Sequence, residues 1–232
     1  ANSGHSLPRG SDGFATMPIF PLLTLCLKKI AKNNALNEAI ERFVWANWWD
    51  NPNYVHSVIE IYSEKRFIPA IDIHTHQLLD FLTSEIEIDR ILLVQPKFSP
   101  ENGRFVTILF AIEKNGGILS GGACSRHINN ALFRSASELV RHCLAWKKIR
   151  KNFFKTETFY ERRLSYFASG KGNDIFSLRV FRGSVSNEVV QLPALDIDRE
   201  IEHSLNDIYY VHHCLFTDQP LFVGGQLERL CL

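Results

Sequence analysis

The chain has 232 residues, which suits one domain or a domain with a small lobe, and its 45% apolar and 22% charged residues are those of an ordinary soluble globular protein. A formal charge of +1 excludes the broad basic footprint of a nucleic-acid-binding surface. The five cysteines, Cys26, Cys124, Cys143, Cys214 and Cys231, are odd in number and form no C-x-x-C, which argues against a disulfide framework or a zinc knuckle and points to a reducing cytoplasm.

Residues 1–13 are rich in Gly, Ser and Pro and read as loop. Ser3 and Gly4 could lend backbone N–H groups to a phosphate. Residues 17–27, MPIFPLLTLCL, form the most apolar run, too short to span a bilayer and broken by Pro18 and Pro21. A buried loop or strand is expected there, and no membrane partner. Residues 22–50 read as helix, in one piece or two, stopped by Asn51-Pro52-Asn53. Within it Leu36, Ile40, Phe43 and Val44 repeat at helical spacing. Asn34, Glu38, Glu41, Arg42 and Trp45 fall on another face. Carboxylates hold hard cations and Arg grips phosphate through paired donors, so Glu38, Glu41 and Arg42 suit a cation bridged to a phosphate.

Residues 54–65 read as a short helix or strand, residues 67–73 as a strand and residues 77–84 as a helix. The His-x-His of Ile71-Asp72-Ile73-His74-Thr75-His76 would then close a strand with both imidazoles on one face, a geometry that suits a metal. That segment also resembles the first-strand metal motif of amidohydrolase barrels. Such a barrel needs about 250 residues, and fewer than that follow His76. Residues 88–94 and 106–112 have the β-branched, apolar look of core strands. A turn at Asn115-Gly116-Gly117 leads through Ile118–Ser120 and a Ser/Gly loop, Gly121-Gly122-Ala123-Cys124-Ser125, to a helix at residues 129–146. This helix carries Glu138 and Arg141 at the spacing of Glu38 and Glu41, and both helices contain Asn-Asn-Ala-Leu. The pattern is that of an internal repeat of loop plus polar-faced helix.

A basic helix end follows Trp146, then a short helix at residues 159–167. Ser169-Gly170-Lys171-Gly172 lacks Walker spacing and reads as an exposed turn. A helix from about Asp198 to Ser204 and closing strands at residues 208–215 and 221–223 complete the chain. His212 and His213 are strand neighbours, point to opposite faces and read as structural. Apolar strands alternating with amphipathic helices define an α/β (α+β) domain with a mixed sheet and packed helices.

The small Ser/Gly loop followed by A-L-x-E-x-x-E-R and aromatics resembles the YcaO domain. Asn2–Gly4 with residues 35–49 is similar to its central ATP-binding helix, residues 119–146 to its next helix, and residues 196–232 to its C-terminal portion. Residues 1–232 then form a single YcaO-like domain lacking the family's N-terminal region, with residues 7–27 an insertion. The resemblance implies ATP and Mg²⁺ in a three-layer α/β domain. Glu38, Glu41 and Glu138 would hold Mg²⁺, Arg42 the phosphates, and Ser3, Asn34 and Arg141 would complete the nucleotide site. Asn34 stands where the family often has Ser, and Arg141 where it usually has Gln. The implied activity is phosphorylation of a peptide amide so that a neighbouring Cys, Ser or Thr cyclises into an azoline, with thioamide or amidine formation as variants. The implied partners are a precursor peptide and a leader-peptide-binding protein, and a homodimer is compatible. A non-catalytic YcaO-like binding subunit and a metal-dependent amidohydrolase using His74 and His76 are the competing readings.

Overall fold

The structure, a computed structural model, describes residues 19–68, 71–152, 159–181, 187–202, 210–220 and 228. It is an α+β fold. Its centre is a five-stranded antiparallel sheet in the order β2-β1-β3-β5-β6. The strands are β1 (His56–Ser63), β2 (Arg66–Phe67), β3 (Ile88–Pro96), β5 (Phe105–Glu113) and β6 (Ile118–Ser125). Side chains alternate across a strand, so β5 sends Ile108, Phe110 and Ile112 to one face and Leu109 and Ala111 to the other. Both faces are covered. Helix α1 (Ile19–Asp50) packs Ile40, Phe43, Val44 and Trp45 on the first. Helices α2 (Ile73–Glu85) and α3 (Ile128–Asn152) pack Leu79, Leu82, Leu132, Leu139 and Cys143 on the second. This double cover explains why β3 and β5 read as continuous apolar runs rather than as alternating ones.

Smaller elements hold the ends of this sandwich. A parallel pair joins β4 (Phe98–Ser99) to β7 (Val190–Gln191), the one parallel ladder among the described strands, so the central sheet is not itself mixed. The hairpin of β8 (Leu195–Glu202) and β9 (Tyr210–Phe216) lies against α1, with the Phe43 and Phe216 rings 5.4 Å apart. Helices α4 (Phe159–Ala168) and α5 (Asn173–Val180) close the other end. The last turn of α1 has no basic residue, yet its carbonyl end favours a cation. Arg179 of α5 supplies it: buried, it donates to Trp48 O and Tyr54 O, with its guanidinium 4.3 Å from the Trp48 ring centroid.

Several expectations are corrected. From Ile19 the apolar run expected as a buried loop or strand is helical and continuous with α1, so that part of the supposed insertion is not a separate segment. Ile73 begins α2 rather than ending a strand. Asp72 is the reason: its Oδ1 accepts from His74 N and Thr75 N, each at 3.1 Å, and its Oδ2 from Thr75 Oγ1 at 2.6 Å, which is an N-cap. The Gly121–Ser125 loop is the buried second half of β6, so the repeat of loop plus helix is not seen at its second copy. The helix expected from Asp198 is strand β8. Trp45, assigned to the polar face of its helix, is fully buried. The segments at residues 1–18 and 221–223 lie outside the described residues.

Strand β6 ends the sheet, and α3 lies close over it on the second face. A Cβ at Gly121 would run into Leu139 N and Ser135 O of the α3 backbone, and one at Gly122 into the Trp45 ring. Gly121→Ala must therefore push α3 off the strand. Overpacking costs about 1–3 kcal/mol, and a backbone neighbour that cannot rotate away puts this variant at the upper end. Urea denaturation should show a lower midpoint with an unchanged slope.

Candidate functional site

At the β6 edge the polar faces of α1 and α3 meet. Between them lies a pocket of about 220 Å³. Helix α1 lines it with Asn37, Glu38, Glu41 and Arg42, β6 with Gly122, Ala123 and Cys124, and α3 with Arg134, Glu138 and Arg141. Positions 134, 138 and 141 lie one turn apart on a single helical face. The edge strand takes part directly. Gly122 N donates to Glu138 Oε2 at 2.9 Å, and His142 Nδ1 lies 2.6 Å from Ser120 O. An edge strand's N–H and C=O groups need partners, and here helix side chains provide them.

The acids differ in circumstance. Glu38 pairs with Arg42 on its own helix, and Glu138 Oε1 lies 3.7 Å from Arg141 Nη2. Glu41 sits between the other two acids, and no hydrogen bond to its carboxyl is found among the described residues. Burial, then the charges of Glu138 and Glu38, push its carboxyl up to about 8, against the opposing pull of Arg42 and Arg134. The Cys124 thiol is pushed up to about 12 by burial and by Glu41, so it stays protonated. Asn37 is a structural anchor: buried, it accepts from Arg104 Nε at 3.0 Å.

Five of the residues singled out in the sequence, Glu38, Glu41, Arg42, Glu138 and Arg141, thus come together in one pocket. Asn34 is exposed and does not line it. Ser3 lies outside the described residues. Arg134, Asn37 and Cys124 also line it and were not anticipated. Arg134 precedes Glu138 by four residues and Asn37 precedes Glu41 by four, so helical spacing could have found both.

The His-x-His reading fails on geometry. His74 and His76 lie in the first turn of α2, where residues two apart do not share a face. His74 is exposed, and the His76 ring packs 4.7 Å from that of Phe67. The open antiparallel sheet is not a barrel.

No protein-family model matches the chain, and no curated protein matches it. Among solved structures it is similar to a chain of the E. coli microcin synthetase McbBCD complex with pro-MccB17 bound, at TM-score 0.47 and 17% identity, covering 66% of this chain and 39% of that one. It is likewise similar to a chain of the E. coli microcin synthetase McbBCD complex at TM-score 0.47 and 18% identity, covering 67% and 38%. The chain therefore spans about two fifths of the length of the chains it matches. No helix among the described residues is long and apolar enough to cross a membrane.

The Glu41 carboxyl sets a pH dependence. Between its ordinary value of 4.5 and about 8 the folded protein keeps a proton that the unfolded chain has released. The unfolded state then binds fewer protons, so this group's contribution to stability declines as pH rises through that window, by at most about 1.4 kcal/mol per pH unit. Thermal midpoints of metal-free protein should show this decline, and Glu41→Gln should flatten it.

Proposed function

We propose that the α1/α3 pocket binds a divalent cation together with the phosphate groups of ATP, in an enzyme that activates a peptide backbone amide for heterocyclisation. Glu41 carries the proposal. It is a half-buried carboxyl beside two other carboxylates, and it keeps its proton up to about 8 because Arg42 and Arg134 bring too little positive charge to offset burial and those two acids. A Mg²⁺ ion supplies that charge, and oxygen ligands suit it. Arg42, Arg134 and Arg141 border the same pocket and suit phosphate. At about 220 Å³ the pocket is below the usual small-ligand range and takes the cation and phosphates, not a whole nucleotide. A second hollow of about 320 Å³, which shares Glu38 and Arg42, adjoins it.

The amide-directed chemistry rests on the resemblance of Glu38, Glu41, Arg42 and Glu138 to the YcaO pattern. Bound Mg²⁺–ATP would supply the phosphoryl group that turns an amide oxygen into a good leaving group. The chain's own contribution would be positional and electrostatic. Glu41 would give up its proton on loading, Glu38 and Glu138 would orient the ion, and the arginines would offset the charge of the transferring phosphoryl group. The precursor peptide and the leader-binding partner belong to the same proposal. The second reading, a non-catalytic binding subunit of the same fold, draws on the Arg42–Glu38 and Arg141–Glu138 pairs, in which two of the three acids already have a cation beside them.

Calorimetric titration with ATP separates the two. The enzyme reading expects binding only with Mg²⁺, accompanied by proton release. In Glu41→Gln binding should weaken at least about tenfold, the loss that follows removal even of an outer-shell partner, and ATP turnover should fall with it although the thermal midpoint near neutral pH is not lowered. Absence of nucleotide binding with Mg²⁺ present would favour the binding subunit.

A further inference from the structure

A different group of donors lies on the hairpin of β8 and β9. In its register Asp198 faces Cys214 directly and Glu200 faces His212. Residues two apart on a strand share a face, so Asp198, His212 and Cys214 all project from one side. That side is turned to α1: Lys28 Nζ reaches Glu200 and Lys32 Nζ reaches Asp198 Oδ2, both at 2.8 Å. His213 and Leu215, on the other side, are exposed. Asp198 Oδ1 is 2.5 Å from His212 Nε2 and 3.7 Å from Cys214 Sγ, and the three donor atoms lie within 4.8 Å of one another.

We infer that Asp198, His212 and Cys214 form a binding site for one divalent transition-metal ion of the zinc class. One oxygen, one imidazole nitrogen and one sulfur are the donor types zinc takes, at about 2.0–2.3 Å each. Donors at those lengths in a tetrahedron stand over 3 Å apart, so His212 and Asp198 need only a small separation to admit the ion. Three protein ligands leave a fourth position, and the hollow of about 320 Å³ between α1 and β9, which His212 and Cys214 line, offers it space. Lys32 holds the second carboxylate oxygen, Oδ2, and so fixes Oδ1 toward the other two donors, the part an outer-shell partner plays. Lys32 and then His212 hold the Asp198 carboxyl down to about 2, so it is ionised at any working pH. Burial and Asp198 push the Cys214 thiol up to about 11. Loading therefore breaks the S–H bond, forms the sulfur–metal bond and releases that proton to solvent. In the unloaded site His212 Nε2–H donates to Asp198 Oδ1, so loading also sends that proton to solvent while Nδ1 carries the ring proton, and the freed Nε2 takes the metal. A purely structural lock between hairpin and helix would need only Asp198 and Lys32. The buried thiol aimed at the same carboxylate oxygen is the feature it leaves unexplained.

Cobalt(II) tests the site, because thiolate ligation adds a charge-transfer band in the near ultraviolet and tetrahedral geometry strengthens the visible d–d bands. Full-length, reduced protein without a histidine tag should show both, saturating at one equivalent and displaced by Zn²⁺. Cys214→Ser should abolish the charge-transfer band. His212→Gln, which keeps the thiolate, should weaken Co²⁺ at least by the roughly 10–100-fold that losing an outer-shell partner costs. Absence of the band in the wild-type protein would overturn the inference, as would a band unchanged in Cys214→Ser. Should Cys214→Ser lose its native circular dichroism, His212→Gln decides: undiminished affinity there overturns the site.

Discussion

The molecule depends on how closely α3 can lie on the last strand of the sheet. Gly121 has no side chain where the backbone of Leu139 passes, and Gly122 leaves room for the indole of Trp45 from the opposite layer. With that clearance both helices reach the β6 edge, one from each face of the sheet. A bulkier residue at either position would move a helix outward and part the polar faces that meet there. The same approach lets Glu138 accept the Gly122 N–H and sets His142 against Ser120 O, so the strand's outward groups are satisfied by the helix that covers them.

The charges around the pocket follow from that approach. Arginines and acids are neighbours on both α1 and α3, and on a lone helix such neighbours neutralise each other, as Glu38 and Arg42 do. Bringing the helices together adds an interaction that neither has alone: Glu41 faces acids from both. The cost falls on one carboxyl, which sheds its charge by holding a proton. The proposed cation site draws on the convergence of two ordinary surfaces, and neither helix carries all of its acids separately.

Much of this was legible in the sequence because helical periodicity is a local property. The stripes of α1 and α3 and the strands β3 and β5 follow from spacing, whereas the sharing of one site by Glu38, Glu41, Arg42, Glu138 and Arg141 was implied by the YcaO resemblance. What failed was set by contacts across the chain or by a competing local bond. Asp72 overrode a strand-like run by capping a helix. Gly121 and Gly122 look like loop because glycine usually marks one, whereas here they answer to the bulk of Leu139 and Trp45. Asp198 looked helical because its strand partner, Cys214, is distant in sequence and the register joining them leaves no local mark. The same register lies behind the surroundings of His212, which the sequence reading took as structural. Its neighbour His213 does point away, and strand spacing puts Cys214 on the face of His212, but Asp198 joins them only through the register of the hairpin.

The two margins of the sheet are treated differently, and this bears on assembly. Along β6 the Gly122 N–H and the Ser120 C=O are engaged by Glu138 and His142 of α3, so a strand added there would have to displace those side chains. At the opposite margin β2 pairs with only Tyr62 and Ser63, and at the far end Val55 N donates to Glu188 O. Between them β1 runs with Val58 36% and Ile59 42% exposed. Any growth of this sheet, by an extended peptide or by a second copy across a twofold axis, is confined among the described strands to that stretch of β1. It would build outward from the side of the sheet remote from the α1/α3 pocket, leaving the mouth between the two helices free.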